Sequence, residues 1–216
     1  MTETINDCML YLLTPERVED LTAFAALLDE TLAGGDVACL QLRLKDADDE
    51  QFLAAIDALM PVAHKHGVAF IINDRAHLAL ERDVDGVHLG QGDMDAAAAR
   101  KLLGAGKDIG VTCHDSIHLG FDAGAAGANY VAFGAFFNSH TKNTSFQADP
   151  SILTVWDEVT ELPSVAIGGI TPENCKTLID AGAHFIAVCG AVWNCPEGPA
   201  AAVRAFDAVL KGQKGP

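Results

Sequence analysis

Cationic side chains are scarce in this chain: 14 Lys and Arg stand against 30 Asp and Glu in 216 residues, a formal net charge of −16. Such a surface repels nucleic acid and anionic membranes, so neither is expected as a partner, and any phosphate site must gather its few cations in one place. Long apolar runs are also missing. The longest fall far short of a bilayer span, and the opening MTETINDC is polar and acidic rather than a basic segment leading into an apolar one, so a soluble, cytoplasmic protein is expected. The six cysteines, at 8, 39, 113, 175, 189 and 195, make no CxxC pair and no zinc-type spacing; they read as buried free thiols. No GxGxxG follows the first apolar run, which disfavours a dinucleotide-binding open sheet. No stretch rich in Pro, Gly and Ser offers a linker, so one domain is expected.

What is present is a repeated alternation. Short β-like runs fall at 8–14, 37–43, 68–73, 86–90, 108–113, 130–134, 164–169 and 185–190, separated by Ala- and Leu-rich helical stretches at 17–33, 48–66, 74–83, 95–103, 115–126, 150–160, 172–181 and 199–211. Strands that alternate with helices specify a parallel sheet, and eight pairs in about 200 residues match a minimal (β/α)8 TIM barrel, α/β in class. A doubly wound open sheet is the runner-up. The domain spans 1–216, with residues 1–7 and the tail 211–216 expected outside the core. Thr171-Pro172-Glu173 predicts a helix start and Gly182 its end.

Within the second run, QLRLK (41–45) sets Gln41, Arg43 and Lys45 alternately with leucines, so the three polar groups share one face. A bound anion explains two cations on one strand face; a half-exposed antiparallel strand with a solvated face explains them as well. In a barrel the active site lies at the C-terminal ends of the strands. There the sequence collects Asn73, Asp74 and Arg75, then His88, Gln91 and Asp93, Thr112 and His114, Ser139, Thr141 and Lys142, Gly168 and Gly169, and Cys189 and Gly190. Asp74 and Asp93, on adjacent strand ends, suit a hard divalent cation, since Mg2+ takes one or two carboxylates plus phosphate oxygens and water. Both also suit helix caps. Arg43, Lys45 and Lys142 are cations for phosphate, with Ser139 and Thr141 as hydroxyl donors; the same SHTK segment also reads as an ordinary polar loop. The glycines of AIGGI and AVCG let backbone N–H groups approach an anion. His88 reads as a hydrogen-bonded barrel histidine, and His114 and His118 as a helix start with an exposed His. Phe133, Phe136, Phe137 and the tryptophans read as packing residues, with Phe136 or Phe137 able to line a ring pocket.

Taken in order, QLRLK, INDR (72–75), DGVHLGQGD (85–93), IGVTCH (109–114), FGAFFNSHTK (133–142) and VAIGGIT (165–171) resemble the thiamine phosphate synthase family across nearly the whole chain. The resemblance implies a TIM barrel that joins a pyrimidine diphosphate to a thiazole phosphate and releases pyrophosphate. It also implies that Gln41, Arg43, Lys45, Asn73, Thr112 and Lys142 hold the pyrimidine diphosphate, with Arg43, Lys45 and Lys142 catalytic, and that Asp74 and Asp93 hold Mg2+. Ser139, Thr141, Gly169, Cys189 and Gly190 would contact the thiazole phosphate. The expected partners are these two small phosphorylated substrates, with a homodimer left open. Leu44 stands where such sequences often carry Glu, and Ala135 and Asn138 where Pro is common; Asn138 predicts a looser 139–142 loop before substrate binds. A thiazole tautomerase barrel is the main rival and a non-catalytic phosphate-binding barrel the second. Retention of Arg43, Lys45, Asp74, Asp93 and Lys142 together argues against the tautomerase, which has no pyrophosphate to release.

Overall fold

Eight short parallel strands close on themselves in chain order: β1 (Met9–Leu13), β2 (Cys39–Leu42), β3 (Ala69–Asn73), β4 (Gly86–Leu89), β5 (Asp108–His114), β6 (Tyr130–Phe133), β7 (Ser164–Ile167) and β8 (Phe185–Val188). The structure is a computed structural model and describes residues 8–138 and 146–212. The pairing of β1 with β8, Tyr11 beside Ala187, turns the sheet into a barrel and removes the open-sheet alternative. Residues 1–7 and 213–216, and the loop residues Ser139, Thr141 and Lys142, lie outside the described residues. The expected looseness of that loop therefore concerns residues that are not described.

Strand alternation divides the core into two layers. Leu10, Leu12, Leu40, Leu42, Phe70, Ile72, Val87, Ile109, Val131, Phe133, Ile186 and Val188 point outward, where they meet the helices in one continuous apolar shell. Tyr11, Leu13, Cys39, Ile71, Tyr130, Ala132, Val165 and Ala187 point inward and fill the barrel. Burial on both faces is why these strands read as unbroken apolar runs rather than as alternating ones. The helices of the shell are α1 (Leu21–Leu32), α2 (Asp49–Lys65), α3 (Ala76–Glu81), α4 (Ala96–Leu103), α5 (Ile117–Ala125), α6 (Ser151–Val159), α7 (Cys175–Asp180), α8 (Gly190–Trp193) and α9 (Pro199–Leu210).

Side-chain caps set where several helices begin. Asp20 accepts from the N–H groups of Thr22 and Ala23, which starts α1 at Leu21 and leaves 17–20 in the loop above β1. Asp48 and Gln51 form a reciprocal capping box on α2, Asp95 caps α4, and Ser116 caps α5. The expected start at Thr171-Pro172 is corrected. Asn174 Oδ1 accepts from the Thr171 N–H and its Nδ2 donates to the Gly169 carbonyl, tying residues 171–174 into a turn, so α7 begins at Cys175. The short α8, which the sequence pattern does not announce, is fastened over β1 by a hydrogen bond from Trp193 Nε1 to the Leu13 carbonyl, 2.6 Å.

Candidate active site

The side chains at the C-terminal ends of the strands form a polar mouth above the apolar barrel. Gln41 is buried at 3 % exposure and points inward, in the same direction as Cys39, while Leu40 and Leu42 join the outer shell. One register step higher, Arg43 emerges at the rim, its backbone N–H held by Thr14 Oγ1 at 2.9 Å. The alternation of QLRLK is thus that of a barrel strand, not of a half-exposed antiparallel one.

Glu16, in the loop after β1, meets both rim cations. Its Oε1 accepts from Arg43 Nη1 at 2.6 Å and its Oε2 lies 2.7 Å from Lys45 Nζ; the Lys45 N–H also donates to the Glu16 carbonyl at 2.9 Å. Partial burial works against its charge, and hydrogen bonds and charge from Arg43 and Lys45 outweigh that, so its carboxyl titrates below the ordinary value. Sequence reasoning missed this residue. The available signal was its place just past the end of the first strand, where barrel sites are built.

Asp74 and Asp93 come together on the adjoining side. Asp74 sits in the left-handed region at φ 65, an uncommon conformation for a residue with a side chain, and accepts a hydrogen bond from Asn73 Nδ2. Burial and then the neighbouring Asp93, through both hydrogen bonding and charge, raise its carboxyl from 3.8 to about 6, against a smaller opposing pull from Arg43. Asp93 Oδ2 accepts from the Gly90 N–H at 2.9 Å, and a Cβ on Gly90 would fall 2.7 Å from that oxygen, so a side chain there would displace the Asp93 carboxylate from its present position. Neither carboxylate caps a helix: α3 has no side-chain cap, and Asp95 caps α4. Among the described residues no three His, Cys, Asp or Glu side chains converge as a metal cluster. Two neighbouring carboxylates, one of them driven toward protonation by burial and then by the other, suit a cation that takes its remaining ligands from phosphate and water.

Not every rim candidate joins this mouth. Arg75 turns outward, bonding Asp49 and the Ala47 carbonyl and lying over the Phe52 ring. His114 ends β5 at φ 52 and stacks on Phe146 with ring centroids 4.1 Å apart, while His118 is exposed on α5, so the pair shares no ligand site. Phe136 is buried in the outer shell rather than lining a ring pocket. Thr112 faces His88, and Gln91 Nε2 reaches the Thr112 carbonyl at 2.6 Å. His88 is buried and hydrogen-bonded on both nitrogens; burial lowers its pKa to about 4, leaving it neutral.

On the β7 and β8 side, Gly168 and Gly169 have φ of 107 and 65, and a Cβ on Gly169 would fall 2.6 Å from the Asn138 carbonyl oxygen. These glycines let the loop after β6 lie directly against the loop after β7. Cys189 and Gly190 open a cleft of about 520 Å3 with Pro15, Glu16, Lys45 and Trp193. Burial raises the Cys189 thiol to about 11, so it is a packing and hydrogen-bonding group, donating to the Thr14 carbonyl at 3.4 Å, and not a nucleophile.

A barrel with a cationic arm just past β2, two neighbouring carboxylates after β3 and β4, and a cleft between the loops after β1 and β2 and the end of β8 defines the class of TIM-barrel enzymes that handle phosphorylated small molecules. The family model described as thiamine monophosphate synthase matches residues 10–192. The thiamine-phosphate synthase of Rhodospirillum centenum is 55 % identical over 208 residues, covering 96 % of this chain and 100 % of its own length. That of Hyphomonas neptunium is 48 % identical over 206 residues, covering 94 % and 93 %. Among solved structures, a thiamine phosphate pyrophosphorylase from Pyrococcus furiosus superposes with a TM-score of 0.84 at 26 % identity, covering 98 % of this chain and 99 % of that one. The chain belongs to the thiamine monophosphate synthase family, as a transferase of thiamine biosynthesis.

Proposed function

We propose that this barrel makes thiamine phosphate by letting pyrophosphate leave from an aminopyrimidine methyl carbon before a thiazole nitrogen attacks it. Gln41, Asn73 and Thr112 hold the pyrimidine ring, and Arg43, Lys45 and Lys142 hold its diphosphate. Asp74 and Asp93 hold Mg2+, which when bound neutralises charge on the departing pyrophosphate. Ser139, Thr141, Gly169, Cys189 and Gly190 hold the thiazole phosphate. The supporting observation is the convergence of Arg43 and Lys45 with the Asp74 and Asp93 pair at one barrel mouth.

Chemistry follows from these roles. The carbon–oxygen bond to the diphosphate breaks with its electron pair going to pyrophosphate, and Arg43, Lys45 and Lys142 stabilise that charge as it develops. The pyrimidinyl methyl cation left behind accepts the lone pair of the thiazole nitrogen, closing the new carbon–nitrogen bond. No proton is removed in these steps, which accords with a neutral, fully hydrogen-bonded His88 and with the high thiol pKa of Cys189. The barrel's remaining task is to hold the rings in contact and keep water from the cation. Glu16 must release Arg43 and Lys45 as the diphosphate arrives, because one set of cations cannot serve both anions fully. We place the enzyme in the cytoplasm, with its two phosphorylated substrates as partners.

The test is incubation of the pure protein with both substrates and Mg2+, following thiamine phosphate and pyrophosphate together. The two should appear in equal amounts and stop with EDTA. No product, or product undiminished by EDTA, would overturn the reading.

A further inference from the structure

The barrel floor carries a chain of hydrogen-bonded side chains whose middle links, Tyr11, Tyr130 and His88, the reaction above leaves without a task. Gln41 Nε2 donates to the Tyr11 hydroxyl at 3.1 Å, and the Tyr11 and Tyr130 hydroxyls share a hydrogen bond of 2.9 Å. The Tyr130 oxygen lies 3.2 Å from His88 Nδ1, and His88 Nε2 lies 2.8 Å from Thr112 Oγ1. The two ends, Gln41 on β2 and Thr112 on β5, are both assigned to the pyrimidine ring. The links between them come from β1, β6 and β4, so the chain passes beneath the mouth through the middle of the barrel.

This arrangement is built into the strands. Tyr130 pairs in register with Gly110, where a Cβ would stand 2.0 Å from the tyrosine ring, so a glycine on β5 is what admits that ring to the interior. Tyr130 then stacks on His88, with centroids 5.7 Å apart and planes 26° apart, and meets Tyr11 edge to face at 6.0 Å. Both phenols are buried, which raises their pKa and keeps their protons on them, and each nitrogen of His88 meets one hydroxyl, Tyr130 at Nδ1 and Thr112 at Nε2, so a neutral imidazole has a single N–H to place on one side or the other.

With one proton on the ring, the chain runs in one of two directions. If Tyr11 donates to Tyr130 and Tyr130 to His88 Nδ1, the proton sits on Nε2 and is donated to Thr112, whose own hydroxyl proton is free to point into the mouth. If the direction reverses, His88 Nδ1 donates to Tyr130, Thr112 donates to Nε2, and Thr112 presents lone pairs to the mouth instead. We propose that Tyr11, His88 and Tyr130 are positioning residues that act as one unit, the His88 tautomer setting whether Thr112 gives or takes a hydrogen bond from the aminopyrimidine ring. The inference rests on the assignment of Gln41 and Thr112 to that ring. An aminopyrimidine carries both an amino donor and ring-nitrogen acceptors, so its binding selects one direction of the chain.

The experiment follows the His88 ring nitrogens by 15N NMR while the unphosphorylated aminopyrimidine alcohol is titrated into the full protein. His88 is expected to move toward a single tautomer in the wild type and to lose that response in Tyr130→Phe. In turnover, Tyr130→Phe should raise the KM for the pyrimidine diphosphate about tenfold, the scale of one buried hydrogen bond, and leave the thiazole phosphate KM within about twofold. If Tyr130→Phe fails to fold, Tyr11→Phe removes one hydroxyl from the same chain and carries the same test. His88 nitrogens indifferent to the alcohol, or both KM values rising alike, would overturn the proposal. The titration needs no turnover, so an inactive wild type whose His88 still responds would count against the synthesis step and leave the network standing.

Discussion

The floor and the mouth of this barrel are made by the same strands, only one inward-facing register step apart, yet they differ in kind. On β2, Cys39 and Gln41 are buried and Arg43 stands at the rim; above β1, Tyr11 and Leu13 give way to Glu16. Below the step every polar group has its partner inside the protein, and the groups are held uncharged: His88 is driven down to about 4 and the phenols of Tyr11 and Tyr130 well above 10. Above it the groups are charged and pair with one another, as Glu16 does with Arg43 and Lys45, or oppose one another, as Asp74 does with Asp93. A site complete in itself resists change, whereas one with charge in excess is ready for a ligand.

The sharpest way to break this comparison is to make one change on each side. Arg43→Ala should lower kcat/KM by about 10^2 to 10^3, the scale of removing a donor from developing charge, with little change in unfolding free energy; pyrophosphate release and urea titration read the two. Gly110→Ala should do the reverse to the floor, costing about 1–3 kcal/mol in urea unfolding as its methyl meets the Tyr130 ring. Equal stability losses from both variants would erase the distinction.

Titration sharpens it further. The folded protein holds His88 below its ordinary 6.5, so its contribution to stability is present above about 6.5 and is lost as pH falls through about 4. Asp74 is held above its ordinary 3.8, so its contribution is present below that value and is lost as pH rises through about 6. Thermal unfolding of metal-free protein between pH 4 and 6 should therefore depend on pH more positively in Asp74→Asn than in the wild type, and less positively in His88→Gln. Shifts in the same direction would show that floor and mouth do not titrate as opposites. Smaller again, Glu16→Gln should tighten binding of inorganic pyrophosphate by roughly three- to tenfold in calorimetry, since a half-exposed ion pair is worth about 1 kcal/mol. Weaker binding would mean that Glu16 steadies the cations rather than competing for them. Smallest of all, Leu44→Glu, two residues past β2 where Leu44 lies partly buried against the outer shell, should cost about 1 kcal/mol and leave turnover within about twofold, measured by the same two assays.

The fold was legible because parallel strands and helices write themselves as long-period alternation, and QLRLK put Gln41, Arg43 and Lys45 on one face, which the barrel then assigned to its interior at Gln41 and its rim at Arg43. Asp74 and Asp93 were legible as neighbours because adjacent strand ends adjoin in a barrel. Glu16 was not: nothing in TPER says that its carboxylate crosses to β2. Tyr11 and Tyr130 were hidden for a different reason. They meet across 119 residues of sequence at the barrel axis, and that meeting depends on the missing side chain of Gly110. Local chemistry is readable from a short stretch, whereas contact through the centre of a closed sheet requires its register.

The closure of β8 onto β1 also decides where this molecule can be handled. The Met9 N–H bonds the His184 carbonyl beneath the strands, and α9 descends to Lys211, which pairs with Asp36 ahead of β2. Both ends of the described chain thus lie on the face opposite the mouth. A protein fused at either end, a surface tether, or a peptide joining the two ends into a circle would leave the entrance for substrates unobstructed.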